Sequence, residues 1–210
     1  MGNHDFYNQF VPMSFSKITA FVSLLFLLSS PVFSQKITVN VFIENKINKP
    51  QSDTIYYDFN RKLTWQDFQG KVPPGAKWGA MTASGFSFNS EMEDDGANHI
   101  VISVGVYTFF TKHDSWKKAD INSAYHLEHE QHHFDITRLY AQKLVDEIKK
   151  AHFTKSNYTK LLYSVFDKVY QESVAYQHQY DDETKNSMDV VKQKEWNEKI
   201  SAEVNKLKAS

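Results

Sequence analysis

The segment His129-Glu130-Gln131-His132-His133 contains the residue types of a hydrolytic metal site. On a helix, His129 and His133 are four residues apart and lie on one face, so two imidazoles can reach one zinc ion. Glu130 would then face the water at the metal and act as a general base. The pattern H-E-x-x-H therefore predicts a zinc-dependent hydrolase with one zinc ion per chain.

The residues around this motif predict the helix that the chemistry requires. Residues 122–150 contain no Pro or Gly, and apolar residues recur at mostly helical spacing from Leu127 to Ile148. Ser123 is one of several candidate N-caps. The alternative is a His-rich polar helix face that binds no metal.

Two further histidines flank the pair. His126 shares its face, but His126 and His133 are about 10 Å apart along the helix axis, so both cannot bind one ion. We expect His126 to be a wall of the site or a surface residue. His132 points away from the motif face and is expected to be solvated.

A catalytic zinc site also needs a third protein ligand and an open position for water. The candidates downstream are Glu172, on the apolar stripe of the next helix, and His178, Asp181 and Glu183 near its end. Spacing alone does not rank these four residues.

The remaining pattern predicts strands first and helices last, which is typical of an α+β domain. Strands are predicted at 36–44, 54–59, 80–89 and 100–110, with an acidic loop at 91–98. After the motif helix, further helices are predicted at 159–180 and 190–207, separated by a polar break at 181–189.

The N-terminus resembles an export signal. Lys17 precedes an uncharged run at 18–34, which ends in a small residue suited to cleavage. We therefore expect residues 1–34 to be a signal peptide and 35–210 to be one exported domain, periplasmic or extracellular, with no stable membrane span after cleavage. An uncleaved N-terminal anchor is the alternative, and Met13 is an alternative start to Met1.

Composition excludes several classes of function. The net charge is −1 and no basic stripe is present, so nucleic acid is not an expected partner. The chain contains no Cys, which excludes disulfides, thiolate ligands and a thiol nucleophile.

Several sequence blocks together resemble the DUF922 family of exported bacterial proteins, described as predicted secreted zinc-dependent proteases. The resemblance covers roughly residues 55–200. The blocks, in order, are Leu63-Thr64-Trp65-Gln66-Asp67-Phe68, Thr82-Ala83-Ser84-Gly85, Ser115-Trp116, His129-Glu130-Gln131-His132-His133-Phe134-Asp135-Ile136, Tyr180-Asp181-Asp182-Glu183-Thr184, Gln193 and Trp196.

The resemblance implies a zincin-like metallopeptidase, in which a small, twisted, largely antiparallel sheet packs on the motif helix and C-terminal helices follow. It implies His129 and His133 as ligands and Glu130 as the base, and it ranks Asp181 first as the third ligand. One position departs from the family pattern, because Asn186 stands where the family has a His.

These expectations give a mechanism and two alternatives. Zinc-activated water would attack a peptide or protein substrate, with Tyr180 or His126 stabilising the oxyanion. By analogy with zincins, the strand at 100–110 would border the cleft and pair with the substrate backbone.

The first alternative is a non-catalytic exported metal-binding or interaction module on a zincin scaffold, which Asn186 favours. The second is a secreted domain without metal.

Overall fold

The computed structural model describes residues 36–96 and 99–209, so the predicted signal peptide at 1–34 lies outside the described residues. Strands precede helices in these ranges, which confirms the predicted α+β class. The strands are β1 Lys36–Ile43, β2 Thr54–Tyr56, β3 Ala80–Met81, β4 Ser84–Asp94, β5 His99–Thr111 and β6 Trp116–Lys117. The α-helices are α1 Ala124–Lys150, α2 Tyr158–Thr184 and α3 Val190–Ala209, and a 3-10 helix spans Trp65–Asp67.

Strand β5 is the centre of a mixed sheet. Along one edge it pairs antiparallel with β4 over the whole length of β4. Along the other edge, β1 pairs parallel with the first part of β5 and β2 pairs antiparallel with its end. Because both edges of β5 are occupied, the prediction that this strand pairs with a substrate backbone is wrong.

The single strand predicted at 80–89 is two strands in the structure. β3 pairs with β6 in a separate two-stranded sheet, whereas β4 begins at Ser84 and runs to Asp94. The acidic residues at 91–94 therefore belong to a strand and not to the predicted loop. Backbone pairing with β5 holds this segment extended, and its charged side chains remain exposed to solvent.

The main core lies between this sheet and the helices. Every second residue of β5 faces α1, as the pleat requires, and most of them are β-branched. The buried residues of this core are Phe86, Ile100, Ile102, Val104, Val106, Ala141, Leu144, Val145, Ile148, Phe153, Leu162 and Val169.

Helix α1 begins at a conventional cap, because the Ser123 hydroxyl accepts a hydrogen bond from the backbone N–H of His126 at 3.1 Å. The helix is covered by the sheet on one side and by α3 on another, through a second buried cluster of Ile136, Tyr180, Trp196, Ile200 and Val204. His132 of this helix is also buried, with Nδ1 3.2 Å from Asp135 Oδ2. The prediction that His132 is solvated is therefore wrong.

Helix α2 continues beyond its predicted end at Tyr180. It ends at Thr184, and the next residue, Lys185, caps it in the left-handed conformation with φ of 49°. Asp181 is therefore part of the last turns of a helix that packs against α1, and not of a polar break. Within the described ranges, none of the helices has the length and apolarity needed to cross a membrane.

Candidate metal centre

Three side chains from two helices converge on one point. His129 Nε2 and His133 Nε2, one turn apart on α1, are 3.2 Å from each other. Asp181 Oδ1, from α2, lies 3.2 Å from His129 Nε2 and 3.1 Å from His133 Nε2. The three atoms form a nearly equilateral triangle. Among the described residues, His129, His133 and Asp181 form the group that could hold a metal ion.

The dimensions of this triangle fit a tetrahedral metal site. Ligand atoms about 2.0–2.1 Å from a tetrahedral ion lie about 3.3 Å from one another. The observed edges of 3.1–3.2 Å are within a few tenths of an ångström of that distance. An ion held by these three atoms would keep a fourth position for a water molecule or a substrate.

Two glutamines determine which nitrogen of each imidazole carries the proton. Gln193 Oε1 lies 2.8 Å from His129 Nδ1, and Gln177 Oε1 lies 2.6 Å from His133 Nδ1. The Nε2 group of Gln177 donates to the backbone carbonyl of His133 at 2.9 Å. That of Gln193 donates to Asn197 Oδ1 at 2.6 Å. The two amide oxygens therefore face the imidazoles and accept hydrogen bonds from Nδ1–H.

A cation is needed to complete this arrangement. With Nδ1 protonated, each neutral imidazole directs the lone pair of Nε2 toward the centre of the triangle. Asp181 Oδ1 is buried there, and neither unprotonated Nε2 can donate a hydrogen bond to it. Three electron-rich atoms in contact repel one another unless a proton or a metal ion lies between them.

The pKa values of the cluster show the same demand for positive charge. Burial lowers the pKa of His133, but the hydrogen bond and charge of Asp181 outweigh it and raise the pKa to about 9. Burial raises the pKa of Asp181, but the contacts with His129 and His133 hold it well below its usual range. In the metal-free chain a proton is therefore held where a metal ion would bind.

Glu130 lies in the same cleft and is not one of the three converging groups. Its carboxylate is buried, and its Oε2 accepts a hydrogen bond from the Thr82 hydroxyl at 2.7 Å. The same hydroxyl lies 3.1 Å from the backbone carbonyl of Glu130. Thr82 thus fixes the position of one oxygen of this carboxylate.

The cleft beside the triangle has a volume of about 470 Å³. The segment 77–82 forms one wall, and the turn after α2, including Asn186 and Ser187, forms another. Three large apolar side chains on the walls are exposed, namely Trp78, Met81 and Met188. The site is therefore open to a ligand much larger than water, with apolar surface at its rim.

The two residues predicted to stabilise the oxyanion lie in different surroundings. His126 lines the cleft, with Nδ1 2.6 Å from Ser123 Oγ. Tyr180 is fully buried, its ring stacks on His129 at 4.6 Å, and its hydroxyl accepts a hydrogen bond from Gln193 Nε2 at 2.7 Å. This placement favours support of His129 by Tyr180 over the predicted contact with a substrate.

The other candidates for the third ligand do not belong to the triangle. Glu172 forms a salt bridge with Lys143 at 2.9 Å. Glu183 accepts hydrogen bonds from Trp196 Nε1 at 2.9 Å and from Gln179 Nε2 at 2.7 Å. His178 lines the cleft, but the converging cluster is complete without it.

Sequence reasoning missed one supporting residue and left two others without a role. Gln177 precedes Asp181 by four residues, so helical spacing already places the two on one face of α2. Thr82 and Gln193 were part of the blocks that resemble DUF922, but spacing could not show what they contact.

Comparison of the chain with protein-family models, with curated proteins and with solved structures finds no match. The resemblance to the DUF922 family therefore stays a prediction, and the geometry and chemistry of the site are what indicate a function.

Proposed function

We propose that the chain is a zinc-dependent metallopeptidase with a zincin-like arrangement of its motif helix and sheet. The observation that carries the proposal is the convergence of His129, His133 and Asp181 beside the buried carboxylate of Glu130. Two imidazoles and a carboxylate suit zinc, and three protein ligands with one open position are the composition of catalytic zinc sites. A structural site does not need a buried carboxylate beside it that binds no metal.

A zinc ion bound by these three residues would supply Lewis acidity, which activates water and polarises a carbonyl group. Glu130 takes the proton from water on Oε1 and passes it to the leaving amine. Thr82 holds the other oxygen, Oε2, at 2.7 Å and so orients the carboxylate. Gln193 and Gln177 keep the Nε2 lone pairs of the two histidines directed inward.

The shape of the cleft supports an extended, partly apolar substrate. Trp78 is 50% exposed and Met188 is 74% exposed, and both border the cleft. Exposed apolar side chains around a polar centre are typical of a binding surface. We therefore propose that the substrates are peptides with apolar residues near the cleaved bond. We also propose that the reaction takes place outside the cytoplasm, because residues 1–34 resemble an export signal.

The proposal is tested by measuring zinc content and peptide cleavage together. The chain, purified without chelator, is analysed by elemental mass spectrometry and incubated with a mixed-sequence peptide library whose products are read by mass spectrometry. We expect about one zinc per chain and cleavage beside apolar residues. Glu130→Gln should retain zinc and lose about 10²–10⁴-fold in rate, which is the usual contribution of a general base.

Glu128→Gln is the matched control, because Glu128 is exposed on the same helix two residues away and should leave the rate unchanged. If Glu130→Gln remained fully active, the mechanism would be wrong. Bound zinc without cleavage would instead favour the non-catalytic metal-binding module. Asn186 favours this second candidate, since it lines the cleft and stands at the position of the family's His.

A further inference from the structure

A second cavity, of about 550 Å³, lies between α1, the end of β1 and strand β2. Arg138 of α1 lines it. Arg138 follows His133 by five residues, which is about 140° around the helix, so this cavity is on a different side of α1 from the metal centre. None of the residues of the triangle lines it.

Arg138 is only 6% exposed, yet its Nη1 has no hydrogen-bond partner among the described residues. Its guanidinium lies 5.5 Å from the centre of the Phe59 ring. Burial lowers the pKa of Arg138. Among the described residues, the group that raises this pKa is the Tyr57 hydroxyl and not a carboxylate. A guanidinium nevertheless stays protonated in proteins, so a buried positive charge here forms no salt bridge with the carboxylates of the described residues.

A second orphaned group lines the same cavity. Thr108 is 4% exposed, and its hydroxyl also has no partner in the part of the chain that the structure describes. Thr108 lies on the face of β5 that packs toward α1. Buried hydroxyls and guanidinium groups are nearly always paired, so two unpaired donors in one cavity indicate a missing acceptor.

The other charges of the cavity limit the kind of acceptor. Lys46 is paired with Glu44 at 3.0 Å, and Glu44 also accepts from Asn89 at 2.9 Å. Asp58, on the cavity wall, is exposed and adds a negative charge. One unpaired positive charge beside a carboxylate favours a monoanion over a dianion such as phosphate.

The walls limit the rest of the ligand. Tyr56, Tyr57 and Phe59 line the cavity beside Arg138. We propose that this cavity binds the carboxylate of a small aromatic or apolar acid, either free or at the C-terminus of a peptide, with Arg138 and Thr108 donating hydrogen bonds to its oxygens. A planar fork of donors matches a carboxylate, and the rings cover the apolar part of the ligand.

The test is a calorimetric titration of the full chain with four probes: benzoate, a tripeptide ending in phenylalanine, the same tripeptide amidated at its C-terminus, and inorganic phosphate. Because carboxylates also bind metal ions, each titration is repeated on His133→Ala. We expect saturable binding of benzoate or the free tripeptide, unchanged in His133→Ala, with weaker binding of phosphate and of the amide. Binding of the free tripeptide alone identifies a peptide C-terminus, and binding of benzoate alone identifies a free acid.

Variants then test the two donors. Arg138→Met should weaken carboxylate binding about tenfold or more, and Thr108→Val, which keeps the shape of the side chain, about threefold or more. Lys46→Met is the matched control, since Lys46 lines the same cavity but is already paired, and it should change binding less than about twofold. Failure of both carboxylates to bind, or equal binding in wild type, Arg138→Met and Thr108→Val, overturns the proposal.

Discussion

Helix α1 separates two cavities whose unpaired groups carry opposite charge. On one side, the buried Asp181 Oδ1 faces two imidazole nitrogens, which can donate a hydrogen bond to it only when one of them carries a proton. On the other side, Arg138 Nη1 is buried and likewise has no partner among them. Unpaired buried groups are costly, so each one indicates the charge of the ligand that would offset its cost. The first cavity requires a cation and the second an anion.

The two cavities also differ in how firmly their key groups are held. His129 and His133 each contact a glutamine, which orients the ring before any metal arrives. Arg138 has the ring of Phe59 beside it, and its Nη1 has no hydrogen-bond partner among the described residues. The metal centre is therefore preorganised in detail, whereas the anion cavity leaves more freedom to its ligand.

Loss of a metal ligand should give the largest effect on zinc affinity. If it did not, the comparison between the two cavities would fail. His133→Ala removes one corner of the triangle, and we expect zinc affinity to fall by well over the roughly 100-fold that an outer-shell change can cost. A competition titration with a fluorescent zinc chelator measures this. His126→Ala is the control, since His126 lines the cleft outside the triangle and should leave affinity unchanged. Retention of zinc by His133→Ala would exclude the triangle as the binding site.

Removal of a supporting residue should have the next largest effect. Gln193 is fully buried, accepts from His129 and donates to the Tyr180 hydroxyl. Gln193→Leu removes these hydrogen bonds, so we expect zinc affinity to fall about 10–100-fold. The same competition titration applies. Gln179→Leu, an exposed glutamine that contacts Glu183, should have no effect. Equal affinities of Gln193→Leu and wild type would show that the site is not preorganised.

Local spacing predicted the part of the site that lies within one helix. His129 and His133 are one turn apart, and their relation depends on helix geometry alone. Local spacing could not place Asp181 beside the two histidines. Its position depends on how far α2 continues and on how α2 packs against α1. The sequence around 181–189 is polar and predicted a break, whereas the helix runs on to Thr184.

Burial of polar groups could not be predicted from local sequence. His132 and Arg138 have polar side chains, which are less often buried than apolar ones, yet both are buried in the structure. Gln193 contacts His129 across 64 residues of sequence, a relation set by packing of α3 on α1. The burial and contacts of these residues follow from tertiary structure, which periodicity does not encode.

The smallest expected effect is that of a change of one pH unit, and it sharpens the comparison because a proton competes for the cation position. His133 has a pKa of about 9 in the metal-free chain, so zinc must displace one proton below that pH. Zinc affinity should therefore fall about tenfold for each pH unit from pH 9 to pH 7. Calorimetry in buffers of different ionisation enthalpy should detect release of about one proton per zinc. An affinity that is constant across this range would contradict the prediction.

The same proton stabilises the metal-free fold with the opposite dependence on pH. Because the pKa of His133 rises from 6.5 to about 9 on folding, its contribution is complete below pH 6.5 and is lost as the pH rises through 9. The metal-free chain should thus lose stability in the range where zinc binds best. A proton NMR titration of the His133 ring measures the pKa directly. Asp181→Asn, which removes the charge that raises it, should move the midpoint to lower pH, and an unmoved midpoint would exclude Asp181 as the cause.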